Sequence, residues 1–253
     1  TGITPKLVVT TSAGAAVTAV KGSKTVTGTA GTDGVCTLEL PEAGAWSVTS
    51  AKNGVNAAQS IVIGTQSMKM PLYLDSFADN TWEEIIAVCR TGIAPDSWAV
   101  GDSKTMNIGG TAYQVDIIGK NHDEYADGSG TAPLTFQLHN SYGTAYAMKS
   151  TSTNAGGWKE CAMRKTHLPA VLALMPAEVQ SGICEVSKTT AAGGSGSSWV
   201  ETVTDKLFLL SEVETFGSTG NSAAGEGSQY TYYETGGSAV KTLNGEMSSW
   251  WLR

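Results

Sequence analysis

Between Lys6 and Leu74, apolar and polar side chains alternate in short runs, each broken after a few residues by Gly, Asn, Asp or Ser. Successive side chains of a strand point to opposite faces, so this rhythm predicts half-buried strands. The runs are Leu7–Thr11, Ala16–Val20, Thr25–Thr29, Val35–Leu40, Trp46–Ala51, Ala57–Ile63 and Ser67–Leu74. In "WSVTS", for instance, Trp46 and Val48 alternate with Ser47 and Thr49. The separators "SAG", "KGS", "GTDG", "PEAG", "KNG" and "IGTQ" supply residues that tolerate the positive φ of tight turns. Seven strands at this spacing predict a β-sandwich. The segment holds no cluster of His, Cys or carboxylates, so it reads as a platform.

The period changes at "LDSFADNTWEEIIAVCRTG". Asn80 followed by Glu83 has the form of a capping box, and Trp82, Ile85, Ile86 and Cys89 follow at helical spacing. A helix is predicted from Thr81 to Arg90, ended by Gly92. Two alternating runs about Gly109-Gly110 predict a hairpin, and "LTFQLHNS" a further strand. "WKECAMRKTHLPAVLALM" reads as helix, cut into short pieces by Pro169 and Pro176. "GICEVSKTT", "TDKLFLLS", "QYTYYET" and "SSWWLR" read as strands separated by long Gly/Ser-rich loops. In the last of these, Trp250 and Leu252 would face one side and Trp251 and Arg253 the other, and such large rings predict a core strand. The expected organisation is an all-β N-terminal sandwich over residues 1–74 and an α+β domain over residues 75–253.

Composition supports the β-rich reading: hydrophobic residues make up 41%, charged residues 15%, and there are 30 glycines. A net charge of −7 and the lack of a basic stripe argue against nucleic acid as a partner. No apolar run approaches the roughly 20 residues of a membrane-spanning helix. The opening Thr1-Gly-Ile-Thr-Pro lacks a charged segment followed by an apolar one, so no secretory signal is expected; the first residue is not Met, which reads as a fragment or a processed chain. Cys36, Cys89, Cys161 and Cys184 form no C-x-x-C pair and are expected to be reduced and structural.

Candidate chemistry is sparse. "KNHDEYADGSG" gathers His122, Asp123, Glu124 and Asp127, but as a calcium loop it fails where Tyr125 and Leu134 stand in ligand positions, so no metal is expected. His122, His139 and His167 lie in no nucleophile motif, and Glu83/Glu84 and Glu212/Glu214 are adjacent carboxylates whose spatial separation is unknown. No catalytic residue and no cofactor are expected. The aromatic group is more suggestive. Trp199, Tyr230, Tyr232 and Tyr233, with Arg253, are the candidate ligand-binding residues, because Trp, Tyr and Arg dominate binding hot spots.

Several stretches of the second domain occur together and in order: "SWAVGDSKTMNIGGTAYQVDIIGKNHD", "ADGSGTAPLTFQL", "STNAGGWKECAMR", "DKLFLLSEVETFG", "GSQYTYYE" and "SSWWLR". Together they resemble an uncharacterised family of domains found in phage and prophage tail proteins of gut Firmicutes and in some proteins of the bacteria themselves, a family similar to the C-type-lectin-like fold. "TDGVCTLELPEAGAWSVTS" in the first domain resembles the Ig-like or carboxypeptidase-regulatory-like sandwiches that precede such modules. Members of the second family continue past Trp-Trp-Leu-Arg with Ser-Pro and further strands, whereas this sequence stops at Arg253. The resemblance implies a non-enzymatic virion protein, a tail fibre or appendage component. Its receptor-binding module would contact a host-surface glycan or protein through "AAGGSGSS" and "GSTGNSAAGEGSQYTYY". Other virion proteins and further copies of the chain are the implied partners. The alternatives are a structural virion or bacterial cell-surface assembly protein and, less favoured, a carbohydrate-active enzyme.

Overall fold

The computed structural model describes residues 4–193, 199–220, 222–223 and 225–253. Two compact units divide the chain between Trp98 and Ala99. In the first, all seven expected strands form: β1 (Lys6–Thr10), β2 (Ala16–Lys21), β3 (Lys24–Thr29), β4 (Val35–Glu39), β5 (Gly44–Lys52), β6 (Val55–Ile63) and β7, shortened to Met68–Pro71. One sheet has the order β4-β1-β7, with β7 parallel to β1; the other has the order β3-β2-β5-β6 and is antiparallel throughout. The alternating residues meet between them. Leu7, Val9, Val17, Leu38, Trp46, Val48, Ile63 and Leu72 form one apolar cluster, and the Trp46 indole N–H is satisfied by the Glu42 carbonyl at 3.2 Å.

The first unit runs past the expected boundary at residue 74. Trp98 is fully buried, donates its indole N–H to the Leu74 carbonyl at 2.9 Å, and meets the rings of Tyr73 and Phe77 edge-on at 5.4 and 5.6 Å. Helix α1 (Trp82–Cys89) lies in this stretch. Its capping box is Thr81 with Glu84, one residue later than the Asn80/Glu83 reading. Asn80 is buried and bridges backbone instead: it accepts from Leu74 N–H at 2.7 Å and donates to the carbonyls of Leu74 and Ser76.

The second unit is strand-rich with short helices. Strands β8 (Ser103–Ile108), β9 (Thr111–Lys120) and β10 (Leu134–Leu138) form an antiparallel sheet in the order β10-β9-β8. The β8–β9 turn places Gly109 and Gly110 at φ of 59° and 87°, the paired positive angles of a type I′ hairpin. A π-type turn at Met163–His167 leads into α2 (Leu168–Leu172), and α3 (Ala177–Gly182) follows. Then come β11 (Val186–Ala191), β12 (Val200–Asp205), α4 (Glu212–Phe216), α5 (Thr231–Glu234) and the hairpin β13 (Lys241–Leu243) and β14 (Glu246–Ser248). Gly157 and Gly193 lie back to back: a Cβ on Gly157 would meet the Ala191 carbonyl at 2.2 Å, and one on Gly193 would meet Gly157 N at 2.4 Å.

Three expected strands are not found. "QYTYYET" is helical at Thr231–Glu234, because burying Tyr230 and Tyr233 on one side needs a spacing of three rather than two. "TDKLFLLS" leaves the sheet after Asp205. "SSWWLR" has no strand beyond Ser248. Trp250 is half-buried against the cluster of Ile118, Leu210, Tyr230 and Tyr233, whereas Trp251 is 56% exposed, so the terminal rings do not form a central core strand.

Candidate functional site

At the centre of the second unit four charged side chains, none more than 3% exposed, alternate in sign. Lys188 of β11 reaches Asp123 Oδ1 at 2.7 Å and Glu214 Oε1 at 2.6 Å. Arg253 grips Glu214 with both terminal nitrogens, at 2.5 and 3.0 Å, and donates also to the carbonyls of Leu209 and Thr189. The Tyr230 hydroxyl donates to the Asp123 carboxylate at 2.9 Å, and Thr135 donates to its other side. Two anions and two cations cancel, and each carboxylate has several donors, the condition under which buried charge is tolerated.

Local sequence explains the positions. Glu214 is the third residue of α4 and closes a capping box with Ser211, which anchors its backbone while the carboxylate turns inward. Gly119 admits the Tyr230 ring, which a Cβ there would approach to 2.9 Å. His122 stacks on that ring at 3.9 Å, and Phe208 lies 4.1 Å beneath the Lys188 ammonium. Burial alone would raise the Asp123 and Glu214 carboxyls. For Asp123 the Lys188 charge and the surrounding donors outweigh burial, for Glu214 the Arg253 hydrogen bonds with the Lys188 and Arg253 charges do, and both acids lie below their ordinary values.

This arrangement corrects the sequence reading of the contact residues. Tyr230 and Arg253 are interior, and Tyr233 is 7% exposed with its hydroxyl donated to Gln137. Tyr232 is half-buried and meets Tyr233 edge-on. Only Trp199 stands out in solvent, at 79% exposure beside the start of β12. Of the "AAGGSGSS" loop, residues 194–198 lie outside the described residues, as do residues 221 and 224 of the later loop. The buried charges were not separable from surface charges in the sequence, since Lys188 and Glu214 have no local mark of burial beyond the alternation around Lys188 in "EVSKTT".

A second aromatic group escaped the sequence reading. Tyr113, Tyr142, Tyr146 and His167 stack in a row, with successive centroids 5.3, 6.3 and 4.4 Å apart and planes within 23° of parallel. Trp251 adjoins the row, its indole N–H bonded to the Tyr146 carbonyl at 3.2 Å. The sequence signal was two tyrosines four residues apart in "NSYGTAYAM", too weak without the partners from β9 and the π-type turn.

Several of the groups that could do acid–base work have partners within the fold. His139 Nδ1 is 2.7 Å from Asp116 Oδ2, His122 and His167 are stacked, Glu84 caps α1, and Glu212 accepts from Ser222 N–H. In the acidic loop Asp123 is neutralised by Lys188 and Asp127 accepts from Ser129 N–H. No group of three His, Cys, Asp or Glu among the described residues is placed to hold a metal ion. The four cysteines are free thiols, with Cys36 and Cys161 buried.

No curated protein matches the chain. Residues 135–253 match the family described as a domain of unknown function (DUF6273), a range that takes in Lys188, Glu214, Tyr230 and Arg253 of the ionic core but begins after Asp123.

Proposed function

We propose that the chain is a non-enzymatic adhesion protein of a phage particle, a tail fibre or appendage component. In this reading the sandwich is a spacer and the second unit a C-type-lectin-like display module for a host-surface glycan or protein. The observation that carries it is how the polar chemistry is distributed. The three histidines and the candidate carboxylates Asp123, Glu84, Glu212 and Glu214 have partners within the fold, while large aromatic side chains stand in solvent, Trp199 and Trp251 foremost. Exposed Trp is costly to solubility and is the commonest anchor of binding hot spots. The test is attachment of the labelled full chain to intact cells of a panel of Firmicutes. Saturable attachment is expected; its absence from every strain sinks the reading.

A second reading, assembly without receptor binding, draws on one feature. β6 is a nine-residue edge strand without a charged residue or proline, and Val62 on it is 76% exposed. Natural edges usually carry such protection against pairing. Concentration-dependent sedimentation abolished by Val62→Lys, with no attachment to cells, would favour this alternative.

A further inference from the structure

Residues 139–161 contain no helix or strand. Structureless connections of that length are generally functional or disordered, and this one is pinned. His139 N–H bonds to the Gln114 carbonyl, Ser141 N–H to the Thr242 carbonyl, Gly143 N–H to the Tyr113 hydroxyl, and Ala162 N–H to the Met148 carbonyl. The Tyr113–Tyr142–Tyr146–His167 stack clamps the middle of the loop between β9 and the π-type turn. Inner faces of those rings are spent on one another, so the stack confers rigidity. Trp251 is different: its orientation is set by the bond to Tyr146, yet more than half of it is in solvent.

We infer that the loop 139–148 and the Trp251 ring beside it form a preorganised recognition surface for a neutral saccharide. The inference rests on the adhesion reading and gives it a site. Residues 140–148, "NSYGTAYAM", are Tyr, Ser, Asn, Gly and Thr with two Ala and one Met, close to the composition of evolved paratopes, in which fixed aromatic planes supply area and short hydroxyl and amide groups supply hydrogen bonds. No charged residue occurs at 140–148, and the basic side chains at its two ends are engaged, His139 with Asp116 and Lys149 with the Ala155 carbonyl, so the stretch offers no free counter-charge to an acidic glycan or to nucleic acid. A sugar presents an apolar C–H face, which an immobilised indole plane covers, and a rim of hydroxyls, which the Asn140 side-chain N–H groups, the Thr144 hydroxyl and the carbonyls of the exposed residues Gly143 and Ala145 can meet, Asn140 Oδ1 and Gly143 N–H being already bonded to Thr242 N–H and the Tyr113 hydroxyl. Rigidity lowers the ordering cost of binding, and the stack provides it before any ligand arrives.

The full chain should be tested on an immobilised panel of neutral oligosaccharides, namely N-acetylglucosamine, galactose and rhamnose oligomers, in parallel with attachment to intact cells. Trp251→Ala removes the exposed plane, and Thr144→Arg places a long charged side chain on an exposed position outside the packed interior. Both are expected to weaken binding about tenfold or more, the loss typical of a truncated anchor. Their melting temperatures should match the parent, and Phe216→Ala, which removes an exposed ring of α4 that has no part in the proposed surface, should bind the panel normally. Cells bound without any neutral oligosaccharide would overturn the saccharide assignment while leaving adhesion standing. Panel binding that survives both substitutions, or is lost with Trp199→Ala alone, would overturn the location. Failure on cells and panel together would remove the adhesion reading itself.

Discussion

The two units solve the problem of an interior in opposite ways. The sandwich fills its centre with Leu, Val, Ile and Trp46 from alternating positions, and its ion pairs, such as Lys6–Glu39 and Lys24–Glu42, sit at the surface. The second unit places Asp123, Lys188, Glu214 and Arg253 at its centre and gives each a partner from a distant part of the chain. An apolar interior is forgiving, because any side chain of similar volume retains most of the transfer energy. An ionic one is unforgiving: each member is tolerated only while the others stay, and removing one strands a buried charge. What such a core adds is specificity of arrangement, since the two terminal nitrogens of Arg253 find their acceptors where Glu214 and the Leu209 and Thr189 carbonyls converge.

The sharpest way to break the comparison is Arg253→Ala. It leaves Glu214 with one cation and should cost about 3–5 kcal/mol, unfolding the second unit while the first keeps its own transition in a urea titration. Trp46→Ala should do the reverse at a similar cost, about 3–5 kcal/mol, through a cavity rather than a charge. Loss of both transitions in either variant would mean the units do not unfold separately. Arg253→Lys keeps the charge but not the fork and is expected to fall between the parent and Arg253→Ala.

Dependence on pH comes next in size and should be largest in the second unit, where the shifted groups are buried; in the first, Glu42, held down to about 2 by hydrogen bonds from Lys24 and Lys21, lies at the surface. Asp123 and Glu214 have folded values below their unfolded ones, so their stabilisation is present above the unfolded carboxylate range and is lost as pH falls through the folded values. At the alkaline end Lys241, pushed down to about 8 by burial, should raise stability as pH climbs from about 8 towards the unfolded lysine value, by about 1–3 kcal/mol. Tyr233, pushed up to about 12 by burial, acts oppositely above the unfolded tyrosine value near 10. A stability maximum near pH 10 is therefore expected, and Lys241→Met should flatten its acidic side. The smallest effect belongs to the cap of α1. Thr81→Ala should lower the first transition by about 0.5–2 kcal/mol, whereas Asn80→Ala should cost more than a cap residue would, because Asn80 ties three backbone groups.

The contrast between the units also explains what could be read before the structure. Period-two alternation is a local signal, and in the sandwich every strand shows it, so the seven strands and their turns were visible. The β8–β9 hairpin was visible for the same reason, through Gly109-Gly110. The ionic core was not, because Lys188 lies 65 residues from Asp123 and Arg253 lies 39 residues from Glu214. Nothing in the immediate neighbourhood of a lysine says that a carboxylate awaits it inside. Aromatic density misled in the same region: "QYTYYET" has strong strand propensity, yet the Asp123 carboxylate that receives Tyr230 fixes that ring inward and a helical turn carries Tyr233 after it. Alternation places the rings at 250 and 251 on opposite faces but does not say which face is buried: Trp250 packs on Leu210 and its neighbours, and Trp251 faces solvent.

The back-to-back glycines at 157 and 193 bear on how freely this scaffold can vary. Ala192 N–H bonds to the Trp199 carbonyl, and the chain leaves the β11–β12 ladder between those two residues. Gly193 is locked against Gly157, so the departure point is set by backbone contact and not by whatever sequence lies beyond it. The end of the β11–β12 ladder is thus fixed by main chain from outside the sheet, and a side chain at either glycine would move the point at which the two strands part.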